Sequence, residues 1–244
     1  MGLPLIGLTA QRDGPRRLRV NAAYVTAVER GGGMPVVIPI LSPERADEIL
    51  DRLDGVLLTG GGDIDPSHYG APNEGSYSID RERDAWEIAL ALAAHRRQFP
   101  YFGICRGIQV MAVAHGVPLI QDLRGARRPQ AMEHDQERLE LQRDAPCHDV
   151  EVVGATRTAE ATRAGTVPVN SMHHQAISAV PPGFQLTAVA PDGTIEAIEG
   201  EGDLFQVGVQ WHPEELVARP EPDPLALRLF TAFVQAAASR KGAR

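Results

Sequence analysis

Four short runs of apolar and β-branched residues, at 5–9, 36–40, 55–59 and 101–105, alternate with segments of helical periodicity at 21–30, 43–53 and 81–97. In the last of these, Trp86, Ile88, Ala89, Leu92 and Ala93 recur at helical spacing. Parallel strands cannot be joined by tight turns, so each pair needs a crossover, and a helix is the usual one. The alternation therefore predicts an α/β fold: a parallel sheet covered by helices on both faces. A further apolar helix, at 108–115, follows the fourth strand directly. A chain of 244 residues can build a substantial core, and one domain over 1–244, with its core at about 4–235, is predicted.

Beyond residue 120 the texture changes. The stretch 121–146 is rich in Arg, Glu, Gln and Asp and reads as loop. Strand-like pieces follow at 149–153, 185–189, 195–199 and 206–210, divided by Pro-Pro-Gly, Pro-Asp-Gly and Glu-Gly turn signals. Residues 225–238 read as a closing amphipathic helix and 241–244 as a frayed tail.

A formal net charge of −8 argues against nucleic acid as a partner, because phosphate binding needs a basic surface. Arginines do cluster, at Arg12, Arg16, Arg17 and Arg19 and again at Arg124, Arg127 and Arg128, but neither group is interleaved with aromatics. Both read as solvated loop charge. No apolar run reaches the roughly 18 residues a membrane span requires. The N-terminus enters the strand-like Leu-Pro-Leu-Ile-Gly-Leu-Thr-Ala without the pattern of a secretion signal. Cys105 and Cys147, the two cysteines, make no disulfide framework, so a cytoplasmic setting with free thiols is expected.

The sharpest chemical signal is Tyr101-Phe-Gly-Ile-Cys-Arg-Gly-Ile-Gln109. Here a strand ends at Cys105, and Gly103 and Gly107 flank the thiol, in the cysteine counterpart of a nucleophile elbow. The helix that follows offers backbone N–H groups and positive potential to a thiolate. A thiol nucleophile needs a base, and His212 in Trp211-His-Pro-Glu214 stands at a strand end with a carboxylate two residues on. Thr59-Gly-Gly-Gly-Asp63 lets backbone N–H groups approach a ligand closely, and it suits an oxyanion better than a phosphate because no Gly-Lys-Ser/Thr follows. Adjacent His173 and His174 diverge on extended backbone, with no third ligand at metal spacing, and Asp63 and Asp65 are followed by no calcium-ligand ladder. Cys147-His148 lacks an elbow and reads as incidental. No metal and no cofactor are expected.

Taken together, Gly103-Ile-Cys-Arg-Gly-Ile-Gln109 and His212-Pro-Glu214 resemble the nucleophile and His-x-Glu segments of class I glutamine amidotransferase-like proteins. Thr59–Pro66, Arg83-Asp-Ala-Trp-Glu87 and Asn170-Ser-Met-His-His-Gln175 are similar to the peptidase C26 branch, typified by γ-glutamyl-γ-aminobutyrate hydrolases of putrescine breakdown. The resemblance implies a flavodoxin-like, three-layer α/β/α sandwich with a mostly parallel central sheet. It also implies a triad of Cys105, His212 and Glu214, with oxyanion donors at the backbone of Gly61 or Gly62 and of Arg106. Gln109 matches a residue that contacts the glutamyl group, and Ser171, Met172 and His173 match a segment whose backbone reads its amino-acid head. The expected partner is a small γ-glutamyl amide, with at most a second copy of the chain as a homodimer.

Within that resemblance Cys105-Arg-Gly107 is typical of the hydrolase branch, since amidotransferases tied to a synthetase usually carry an uncharged residue at the position of Arg106. Two departures stand out: Ala112 and His115 replace family residues after the glutamine, and 125–146 matches nothing. Two other functions fit the same motifs: a glutaminase subunit feeding ammonia to a separate synthetase, and a non-catalytic binder of a glutamylated metabolite. Partner-dependent glutaminase activity would mark the first, and an unreactive Cys105 the second.

Overall fold

The computed structural model describes residues 2–125 and 132–242, so Arg127 and Arg128 lie outside the described residues. In chain order the elements are β1 (Leu5–Thr9), β2 (Gln11–Arg12), β3 (Leu18–Arg19), α1 (Ala22–Arg30), β4 (Met34–Ile38), α2 (Ala46–Leu50) and β5 (Gly55–Leu58). There follow α3 (Arg81–Arg96), β6 (Tyr101–Ile104), α4 (Arg106–Ala114), β7 (Leu119–Ile120), β8 (His148–Val152), α5 (Arg157–Ala161) and β9 (Gly165–Val169). The chain closes with β10 (Ala176–Ile177), β11 (Phe184–Val189), β12 (Ile195–Gly200), β13 (Gln206–Val209), α6 (Pro213–Ala218) and α7 (Pro224–Gly242).

A 9-stranded sheet runs in the order β4-β1-β5-β6-β13-β12-β11-β8-β9. From β4 to β13 every neighbouring pair is parallel, and from β13 onward every pair is antiparallel. Alternation along each strand splits the core in two. Leu57, Phe102, Ile104, Val207 and Val209 face α1 and α7 through Tyr24, Phe230 and Phe233. Val56, Leu58 and Tyr101 point the other way, onto α2, α3 and α4 through Leu50, Trp86 and Met111. Strands covered on both faces have no room for polar side chains, which is why β5 and β6 read as unbroken apolar runs. Helix starts follow local chemistry: the Asn21 side chain accepts from Ala23 N, and Asp80 accepts from Arg83 N.

Several predicted boundaries move. The helix expected at 43–53 is a single 3-10 turn over Pro43–Arg45 leading into the short α2. The helix expected from 108 begins at Arg106, directly after the thiol. Strand β9 escapes prediction because Pro168 interrupts its pattern. The proline is tolerated with β9 at the sheet's edge and its own side chain turned outward. The stretch 121–146 holds a 3-10 turn over Gln136–Leu139, capped by Asp135. The tail predicted from 241 is helical through Gly242, and residues 243–244 lie outside the described residues.

Gly107 sits where α4 crosses the end of β5. A Cβ there would stand 2.3 Å from the backbone oxygen of Leu58, which cannot swing aside as a side chain could. Gly107→Ala is therefore expected to lower unfolding stability by about 1–3 kcal/mol in urea titrations, the usual cost of overpacking.

Candidate active site

Three neighbouring parallel strands, β5, β6 and β13, deliver the chemistry-bearing residues from their C-terminal ends, where open α/β sheets place their ligands. Cys105 directly follows β6 with φ 53° and ψ −104°, a conformation a non-glycine residue adopts only when its surroundings impose it. Its N–H donates to Val209 O at 2.8 Å, so β13 fixes the thiol's backbone from one side. From the other side α4 springs from the turn at once, with Cys105 itself as its N-cap residue.

Arg106 lies fully inside the protein. Its guanidinium donates to Asp84 Oδ1 at 2.6 Å and pairs with Glu87 Oε2 at 3.2 Å. Glu87 also accepts from Arg83 Nε at 2.8 Å, and the Arg83 guanidinium donates onward to Thr59 O at 3.1 Å and Gly60 O at 2.9 Å. Burial pulls the Arg106 guanidinium down from its ordinary value and pushes Asp84 up, and their mutual attraction opposes both shifts. This network joins α3, the elbow and the glycine loop.

His212 caps α6 beside the thiol. Its Nδ1 donates to Glu214 Oε1 at 2.6 Å, and both side chains are buried. Burial works against the charged imidazole, but Glu214 and Cys105 outweigh it through charge and hydrogen bonding, holding His212 well above the usual imidazole value. Asn170 clamps the main chain of His212: its amide donates to His212 O at 2.8 Å and its carbonyl accepts from His212 N at 3.2 Å. Tyr24, on α1, accepts from Gly60 N at 2.9 Å. Burial, with the charges of Glu214 and Cys105 behind it, raises the phenol well above its ordinary value and keeps it neutral. Neither role was legible, since Tyr24 sits in an ordinary amphipathic helix and Asn170 acts only through the fold.

The glycine loop, Gly60 to Gly62, closes over the elbow. A Cβ on Gly60 would lie 3.1 Å from the His212 ring and 3.7 Å from Cys105 Cβ. Gly61 has φ 150°, and a Cβ there would meet the Arg83 guanidinium at 2.1 Å. Tyr24 takes the N–H of Gly60, which leaves those of Gly61 and Gly62, with that of Arg106, as the candidate oxyanion donors. All three residues line the same cleft as Cys105.

That cleft has a volume of about 1020 Å³. Gln109, Met172 and His173 line it, and the Gln109 amide donates to Gln175 O at 3.2 Å and Gln210 Oε1 at 3.3 Å. Ser171 lies behind the wall rather than on it: its N–H donates to Gln136 Oε1 at 2.7 Å and its hydroxyl to His134 O at 2.6 Å. His174 meets Asp63 Oδ2 at 3.0 Å, and Tyr77 stacks on its ring. Asp65 caps the following turn; the N–H of Ser67 and the side chain of Arg81 lower its carboxyl to about 2. The four N-terminal arginines are exposed, as solvated charge should be; two of them, Arg12 and Arg19, also line the cleft, and Arg12 pairs with Asp80 at 3.2 Å. Cys147 is half-buried elsewhere, its thiol pushed up first by burial.

The family model for peptidase C26 matches residues 4–214. This chain belongs to the peptidase C26 family. It is 34% identical over 244 residues to Protein NtpR of Enterococcus hirae, covering 96% of this chain and 99% of that one. It is 35% identical over 223 residues to the γ-glutamyl-γ-aminobutyrate hydrolase of Escherichia coli O157:H7, covering 88% and 87%. Among solved structures, the glutaminase domain of Trypanosoma brucei CTPS with bound acivicin superposes with a TM-score of 0.63 at 18% identity, covering 97% of this chain and 94% of that one. The last likeness is one of fold alone.

A pH dependence follows from His212. A histidine whose folded-state value is raised adds stability that is complete below its unfolded value of about 6.5 and is lost as pH rises through the folded one. Glu214→Gln removes a principal cause of the rise. The stability gap between wild type and variant, from urea unfolding, is expected to be widest near pH ~6 and to narrow steadily at higher pH.

Proposed function

We propose that this C26 protein hydrolyses γ-glutamyl amides through a thioester on Cys105. The observation that carries the reading is a thiol on a strained elbow, set against a buried imidazole that a carboxylate orients at 2.6 Å. In the proposed sequence, Cys105 gives its thiol proton to His212 and, as the thiolate, attacks the side-chain amide carbonyl of the γ-glutamyl group. The developing oxyanion is met by N–H groups of Gly61, Gly62 and Arg106, positioned before reaction and so without reorganisation cost. His212 protonates the departing amine, then takes a proton from water as that water cleaves the thioester and releases glutamate. Glu214 holds the imidazole in the tautomer that serves both steps.

The leaving amine is proposed to be γ-aminobutyrate or a related amine, as in polyamine breakdown. Two observations support this: the 35% identity to the Escherichia coli hydrolase, and Arg19 at the mouth of the cleft. A cation there suits an amine that ends in a carboxylate.

Glutamate release across a panel of γ-glutamyl amides is the direct test. Cys105→Ala is expected to cut kcat on the order of 10⁴-fold or more, as loss of a nucleophile does elsewhere. An electrophilic glutamine analogue is expected to label Cys105. Release only from glutamine and only with an added synthetase, or an unlabelled Cys105, would overturn the assignment. Arg19→Ala is expected to raise KM for γ-glutamyl-γ-aminobutyrate about 5–20-fold while leaving γ-glutamylethylamide nearly unaffected, the size of one charged contact.

A further inference from the structure

Behind the cleft wall that carries Met172 and His173, four buried side chains converge from four separate segments. His134 precedes the Gln136–Leu139 turn, His148 opens β8, His173 lies in the wall, and Glu196 lies on β12. One ligand atom from each, taken together, falls within 4.8 Å of all the others. His134 Nδ1, His148 Nε2 and His173 Nε2 stand 3.2, 3.7 and 3.5 Å from Glu196 Oε1.

The hydrogen bonds around this cluster point outward. His148 Nδ1 donates to Asp149 O at 3.1 Å, and His173 Nδ1 donates to Gln175 O at 2.9 Å. A carbonyl only accepts, so both rings carry their proton on Nδ1, and in the neutral rings Nε2 presents a lone pair to the centre. His134 is turned the same way by Asp192, whose Oδ2 accepts from its Nε2 at 3.1 Å. The inward atoms of all three rings, and both oxygens of Glu196, have no hydrogen-bond partner among the described residues. Lone pairs and a carboxylate gathered in a buried site, each oriented by an outer partner, form the arrangement a cation relieves.

We propose that His134, His148, His173 and Glu196 bind one divalent transition-metal ion, with Zn²⁺ the best fit. Three imidazoles and a carboxylate suit zinc, and bonds of about 2.0–2.2 Å in a tetrahedron place ligand atoms roughly 3.4 Å apart. The observed separations from Glu196 Oε1 span that value. Four protein ligands close the shell, so the ion's role is structural. It pins the segment from Asn170 to Gln175 against β8 and β12, and thereby sets the wall of the cleft. His173 and His174 diverge as adjacent residues on extended backbone must, and only the former enters the cluster.

The experiment is metal binding by the whole protein, with Cys105 alkylated so that its thiol cannot hold the probe ion. After chelator treatment, Co²⁺ is expected to bind one per chain with the intense visible bands of four-coordinate cobalt, and Zn²⁺ to displace it. Zn²⁺ at about a hundred times its Kd is expected to raise Tm by roughly 5–10 °C. Glu196→Gln and His148→Ala are expected to abolish the cobalt spectrum. Asp192→Asn, which leaves the ligands in place, is expected to weaken Zn²⁺ about 10–100-fold. If metal-free wild type folds yet binds neither ion stoichiometrically, the cluster is a proton-sharing network and the proposal fails. It fails equally if folded Glu196→Gln and His148→Ala keep the wild-type spectrum.

Discussion

Two arginines and two carboxylates buried between α3 and the elbow hold the candidate site together. Arg106 faces Asp84 and Glu87, and Glu87 faces Arg83, with all four side chains almost wholly out of water. A buried pair of this kind need not add net stability, because desolvation consumes much of the attraction. What it adds is position. Removing one member strands a charge, at a cost of about 3–5 kcal/mol, so the partners cannot drift apart. Through Arg83 the network reaches the carbonyls of Thr59 and Gly60, and through Arg106 it grips the first residue after the thiol. The glycine loop and the elbow belong to different strands, and this quartet is what ties them.

Two of the three parts that meet at the cleft depend on strained or tightly packed backbone. Cys105 is held at positive φ, and Gly61 adopts a φ that a side chain would oppose. His212 has a negative φ and is fixed through its main chain by Asn170 and through its ring by Glu214. The site is thus built before any ligand arrives, which is the condition for electrostatic stabilisation without reorganisation.

Much of this was legible in the sequence. The doubly covered strands announced themselves as apolar runs, and the flanking glycines marked the elbow because the turn tolerates nothing larger at Gly103 and Gly107. Cys105, His212 and Glu214 could be named together because their spacing and strand-end positions carry chemical meaning. Arg106 was read as a branch marker, whereas its side chain proves to be internal scaffolding. Ser171 was expected at the substrate's head group, yet its polar groups are spent on Gln136 and His134. Tyr24 and Asn170 left no local trace, because what matters is which distant backbone each meets. The His134–His148–His173–Glu196 cluster was invisible for the same reason: its members are scattered over dozens of residues and converge only when β8 and β12 are in place. Short-range patterning records strands, caps and turns, and convergence across the sheet is not written in it.

The hydrogen bond from Cys105 to Val209 has a consequence for the order in which the molecule matures. Strand β6 is complete early in the chain, but its neighbour β13 arrives only after the whole antiparallel half has been made. Until β13 inserts, the elbow lacks one of its two walls and nothing brings His212 to it. Such a long-range pairing is among the slowest steps a chain can take. The strained geometry at Cys105 is therefore expected to be among the last features of the fold to form, after the antiparallel half has been made.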